Sequence, residues 1–118
     1  MPTDFRDGTT FPRRGRTPLG GYLWLARVFD KGRAQRNGTL HDYVYPCGID
    51  KGMFERWGIT AEAFHQAVLT LDTDDEMLAW MTAHVSDERR DAANAHLLVE
   101  RETALDKQDT EEGALAAV

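Results

Sequence analysis

The sequence predicts an all-α fold, a small bundle of about five helices. Three observations carry that prediction. Helix starts and stops recur along the chain. Between them, apolar residues return at three- and four-residue spacing. The one stretch with β propensity, Tyr43-Val44-Tyr45, has no second strand to pair with.

The elements follow in order. Residues 1–16, MPTDFRDGTTFPRRGR, are polar, carry Pro2 and Pro12 and lack periodicity, so they read as an extended arm made basic by Arg13, Arg14 and Arg16. Such an arm is either solvated or laid across a groove to help hold an anion. Thr17-Pro18 is a helix start, because Thr caps and proline's missing N–H costs nothing in the first turn. Asn37-Gly38 is the stop, which gives a long first helix over about 18–36 with Gly20-Gly21 in its first turns. Thr39–Tyr45 is ambiguous between strand and helical turn. Pro46-Cys47-Gly48 breaks the chain, and Asp50 caps a short helix over about 51–57 ended by Gly58. Thr60 caps the next, about 61–71, with Ile59 stapled onto Phe64 and an apolar face of Phe64, Ala67, Val68 and Leu71. Thr73 and Glu76 form a capping box for a helix over 74–84 carrying Met77, Leu78, Met81 and Val85, with Trp80 beside them. Ser86 caps the last helix, 87 to about 103, which buries Ala92, Ala93, His96 and Leu97. These elements make one helical domain over 17–103. From 104 to 118 the chain is acidic and poor in large apolar residues, and reads as a frayed tail.

Composition bounds the function. The chain has 118 residues, 42% apolar and 29% charged, enough for one domain with a real core. It has no apolar run near the ~18 residues of a membrane span and no apolar signal region at its start. With Cys47 as its single cysteine, it fits a cytoplasmic setting. Its net charge of −6 is uneven: residues 1–51 hold nine Lys/Arg and five Asp/Glu, residues 52–118 five and fifteen. The acidic surplus argues against a general nucleic-acid binder.

The candidate chemistry lies on helix one. On a wheel of 100° per residue, Leu19, Tyr22, Leu23, Ala26 and Phe29 share one side, and Asp30 and Arg33 fall in the same arc with Arg27 and Lys31 at its edge. Charges on an apolar face must be paired, and Asp30 is spaced to meet Arg27 and Arg33. Two readings stay open. One is a structural ion network that fixes how the helix docks. The other is a site where Arg27, Lys31 and Arg33 converge on a small anionic ligand or a partner's acidic group, Asp30 orients them, and Tyr22 and Tyr43 form the wall. Arginine's planar fork suits carboxylate or phosphate. An adaptor or self-associating domain using Trp24, Tyr43 and Tyr45 is the alternative. A thiol enzyme on Cys47 with His41 as base is a third.

Other constellations are weak. His41, His65, His84 and His96 form no zinc-type spacing, though His84 and His96 could approach across the last two helices. Asp72, Asp74, Asp75 and Glu76 lack the glycine and terminal Glu of an EF-hand and instead suit a helix N-terminus. Gly15, Gly20 and Gly21 match no phosphate-binding loop. No metal and no cofactor is expected.

The stretch LGGYLWLARVFDKGRAQRNGTLHDYVYPCGID, Leu19 to Asp50, resembles a bacterial family of short proteins, the domain of unknown function numbered 5069. The residues that carry the likeness are Leu19, Gly20, Gly21, Tyr22, Leu25, Ala26, Arg27, Asp30, Lys31, Arg33 and Ala34, then Gly38, Thr39, Leu40, Tyr43, Tyr45, Cys47 and Asp50. GITAEAFHQAV and DDEMLAWM extend the likeness, so it spans about Pro18 to Leu98. Gly32 and Gly48 depart from the pattern, and Gly32 should soften the helix by roughly 1 kcal/mol. The resemblance implies a compact bacterial domain and brings no activity with it.

Overall fold

The computed structural model describes residues 3–116. Among them the fold is all-α with six helices: α1 (Leu25–Asn37), α2 (Gly48–Trp57), α3 (Ala61–Val68), α4 (Asp74–His84), α5 (Asp87–Glu100) and α6 (Glu102–Ala116). α2 packs on α5, α1 and α4 pack on α3, and α6 packs on α5. The core runs through the middle of this assembly. Trp24, Leu25, Val28 and Phe29 meet Met53, Phe54, Trp57, Phe64, Val68, Met77, Met81 and Leu97.

The capping signals act where the sequence places them. Thr60, Thr73 and Ser86 each accept a backbone N–H from the third residue on, and Thr73 with Glu76 closes a capping box. Asp50 works differently from expectation. Cys47 is the cap of α2, its sulfur accepting the Asp50 amide, while the Asp50 carboxylate accepts the Cys47 amide in return.

Helix one is shorter than the Thr17-Pro18 signal predicts. It begins at Leu25. Gly20 and Gly21 take φ of 57° and 86°, values closed to a right-handed helix, and a tight turn pairs Leu19 with Tyr22 in both directions at 3.0 Å. Trp24 is also left-handed, at φ 70°. A side chain in that region costs about 1–2 kcal/mol, and two buried hydrogen bonds hold it there. The Trp24 amide donates to Gly15 at 2.8 Å and its indole to Asp50 at 2.8 Å. Gly32 has a packing reason: a Cβ there would lie 3.1 Å from both Val68 methyls and 3.2 Å from the Tyr45 hydroxyl. Tyr43-Val44-Tyr45 is neither strand nor helix.

Two further corrections concern the ends. The stretch expected to fray after 103 is α6, bent away from α5 at Arg101 and docked by Leu105, which is 1% exposed. Three acids of this helix, Asp106, Asp109 and Glu112, are counterions for Arg14 and Arg16 of the arm and Arg27 of α1. The N-terminal arm is not free either. Phe5 is buried edge-on against Tyr43 at 5.2 Å, and the Phe5 amide donates to Thr39 at 3.0 Å.

Candidate functional site

The ionisable residues of α1 singled out by the wheel all lie inside. Arg27, Asp30, Lys31 and Arg33 are each 5% exposed or less. They do not converge on one point. They form three separate centres.

In the first, Asp30 accepts the Arg13 backbone amide at 2.8 Å, the Arg13 Nε and Nη2 at 3.0 Å, and Arg33 Nη2 at 3.1 Å. Arg33 lies over the Phe29 ring at 4.0 Å and donates to the Asp72 carbonyl at 3.0 Å. Arg13 also forks onto Asp74 at 2.7 and 2.9 Å, which holds the Asp74 carboxyl below its usual range. In the second, the Lys31 ammonium meets Asp50 at 2.7 Å, and the other Asp50 oxygen takes the Trp24 indole. Together the two centres tie the arm, α1, α2 and α4 to one another.

The third centre is built across the molecule. Arg27 grips Glu112 of α6 with both ends of its fork, at 2.9 and 2.7 Å. Trp24 and Tyr43 present their rings to the guanidinium at 5.7 and 5.6 Å. The Tyr43 hydroxyl donates to the same carboxylate at 3.4 Å, and Arg14 lies 3.7 Å from it. Burial pushes the Tyr43 phenol up to about 12, with the Glu112 charge adding to the effect. Beyond it, Arg16 bridges Asp106 and Asp109 at 2.8 and 2.6 Å, and Arg14 lies 3.6 Å from Asp109. Asp106, Asp109 and Glu112 stand three residues apart, hence on one face of α6, and that face is met by Arg14, Arg16 and Arg27.

The expected pairing of Asp30 with Arg33 is therefore present, and that of Asp30 with Arg27 is replaced by Arg27 with Glu112. Tyr43 joins the Arg27 centre. Tyr22 does not: it sits in the core against Trp57 at 6.3 Å, with Arg90 at 5.9 Å from its ring. Trp24, at 1% exposure, belongs to no outer aromatic surface. Cys47 is half-buried and engaged in capping α2, and His41 Nε2 lies 3.3 Å from its neighbour Asp42. His84 Nδ1 sits 2.7 Å from the Trp80 carbonyl and His96 Nδ1 2.5 Å from Glu100, so each has its own partner.

Sequence reasoning named Arg13 only as part of the basic arm and Asp50 only as a cap and a residue of the family likeness, and it did not single out Glu112; these three residues complete the centres. Asp50 has a weak signal, as an acid four residues past a proline break. Glu112 has one usable signal, its three-residue spacing from Asp109 and Asp106. No group of three or more His, Cys, Asp and Glu among the described residues is placed to hold a metal ion. No helix among them is long and apolar enough to cross a membrane.

The model of the family described as Domain of unknown function (DUF5069) matches residues 9–117, and the chain belongs to that family. No curated protein matches it.

Proposed function

We propose that the chain is a binding module for an acidic group, which it takes in the Arg27 fork with Tyr43 rather than on the whole charged face of α1. The Arg27–Glu112 pair carries this reading. Asp30, Lys31 and Arg33 are closed by residues 13, 50 and 72, so opening them dismantles the fold. Arg27 is closed by an acid from the last helix, on a face otherwise tied by half-exposed ion pairs. A ligand carboxylate in place of Glu112 gains the same two parallel hydrogen bonds and the Tyr43 hydroxyl. The flanking rings keep the guanidinium oriented, so little of its freedom is lost on binding. Glu112 competes at the high local concentration of a tethered group, which weakens any acid offered from solution. A bacterial source and a cytoplasmic setting are part of the same proposal. The family resemblance supports the first and the free Cys47 thiol the second.

The test is a thermal-shift series on wild type, Glu112→Ala and the double variant Arg27→Ala/Glu112→Ala, against mono- and dicarboxylates and sugar phosphates. Glu112→Ala frees the fork. A ligand at a hundred times its Kd adds about 2.7 kcal/mol, a shift of several degrees. The shift should be largest in Glu112→Ala, smaller in wild type and absent in the double variant. If no acid stabilises Glu112→Ala, the Arg27 fork takes no small acid from solution.

A further inference from the structure

We infer that the acidic group this groove takes from outside is α6 of a second copy of the chain, exchanged through the bend at Arg101; the inference rests on the acid-recognition reading above. The groove already fits one ligand of known sequence. Asp106, Asp109 and Glu112 of α6 meet Arg16, Arg14 and Arg27 in order, and Leu105 inserts beside Trp24 and Gly15, where a Cβ on Gly15 would fall 2.7 Å from Leu105. A second α6 meets the same complement without any new surface.

The junction makes the exchange simple. α5 ends at Glu100 and α6 starts at Glu102, so a single residue carries the bend. Arg101 belongs to both ladders: its amide closes α5 on Leu97 at 3.1 Å, and its carbonyl opens α6 by accepting the Leu105 amide at 3.0 Å. Arg101 has φ −117° and ψ 18°, and rotation of that residue into the helical region joins α5 and α6 into one rod. Residues Leu98 to Ala104 hold no proline and no glycine to oppose it. A straightened rod carries α6 away from its own groove and toward another chain's, the geometry of a segment exchange.

Two charge-reversed chains test it. Arg27→Glu sets a second carboxylate against that chain's own Glu112, and Glu112→Arg sets a second guanidinium against that chain's own Arg27. Each groove then matches only the other chain's α6. Mixed, the two should give a heterodimer of twice the 13.3 kDa chain mass by native mass spectrometry, while each alone stays at one. Folding of each is checked by circular dichroism, and folding only on mixing also supports exchange. Two folded variants that stay monomeric together overturn it. If neither folds even when mixed, sedimentation velocity of the native chain and of Arg101→Pro decides: proline at the bend opposes the continuous rod and should lower the native dimer fraction, and a native chain with no dimer, or a dimer that proline leaves unchanged, overturns the exchange. Acid binding by Glu112→Ala without a heterodimer sinks the exchange and leaves the acid-recognition reading standing. A heterodimer without small-acid binding does the opposite, confining recognition to the helix.

Discussion

The charged face of α1 is closed in two ways. Around Asp30 and Lys31, the counterions are Arg13 of the arm, Arg33 of α1 and Asp50 of α2, and the pairs knit the arm, α2 and α4 onto one helix. At Arg27 the counterion rides on α6, the last helix, and the surrounding ties are surface ion pairs. Both regions bury a cation to a similar depth. Burial alone therefore does not separate a structural clasp from a site. What separates them is whether the counterion can leave without taking the fold with it.

The largest effect should come from breaking the Lys31–Asp50 pair. Asp50→Asn leaves the Lys31 ammonium in the interior without a charge partner and weakens the hold on the Trp24 indole and the Cys47 amide. Removing one member of a buried pair costs about 3–5 kcal/mol. Equilibrium urea unfolding should show the midpoint falling at unchanged slope. The Arg27 end should cost less. Glu112→Gln keeps one hydrogen bond to the fork and the Leu105 anchor, so a loss of about 1–3 kcal/mol is expected. Hydrogen exchange sharpens the contrast: in Glu112→Gln the α6 amides should lose protection while those of α1 and α2 keep theirs. Equal loss of protection across α1, α2 and α6 would make Arg27–Glu112 as structural as Lys31–Asp50.

The fold class was legible because it rests on local signals. Thr60, Thr73, Ser86 and Gly38 mark helix ends through atoms within a turn of themselves, and each acts as read. The start of helix one was misread because Thr17-Pro18 is a valid cap in isolation. Gly20 and Gly21 override it, and their effect depends on a turn that packs against Leu78. The candidate site was half legible. That Asp30 and Arg33 must be paired follows from their place on an apolar stripe. That Lys31 belongs to Asp50 and Arg27 to Glu112 depends on contacts 19 and 85 residues apart, which no spacing rule reaches. The acidic run after 103 looked like a tail because its partners are Arg14 and Arg16 of the arm and Arg27 of α1, at the far end of the sequence.

The smallest effect is the most specific to the Arg27 end. Tyr43 is pushed up to about 12 in the fold, because burial and the Glu112 charge both resist a phenolate; the ordinary value of an unfolded tyrosine is about 10. A raised folded value means that the protonated phenol favours the fold, fully below about pH 10, with that advantage lost as pH rises toward 12. Wild type should therefore lose stability across that window, and Tyr43→Phe should lose less, so the variant gains on wild type as pH rises. Tyr22 and Tyr45 are also pushed up by burial, but both chains share them, and the difference isolates Tyr43. Ultraviolet difference titration checks the cause, with the Tyr43 step assigned by its absence in Tyr43→Phe. Glu112→Gln removes the second of the two effects and should bring that step to lower pH. If Glu112→Gln leaves the Tyr43 step where it stands in the wild-type chain, Glu112 does not stand beside it in solution, and α6 spends its time away from the groove.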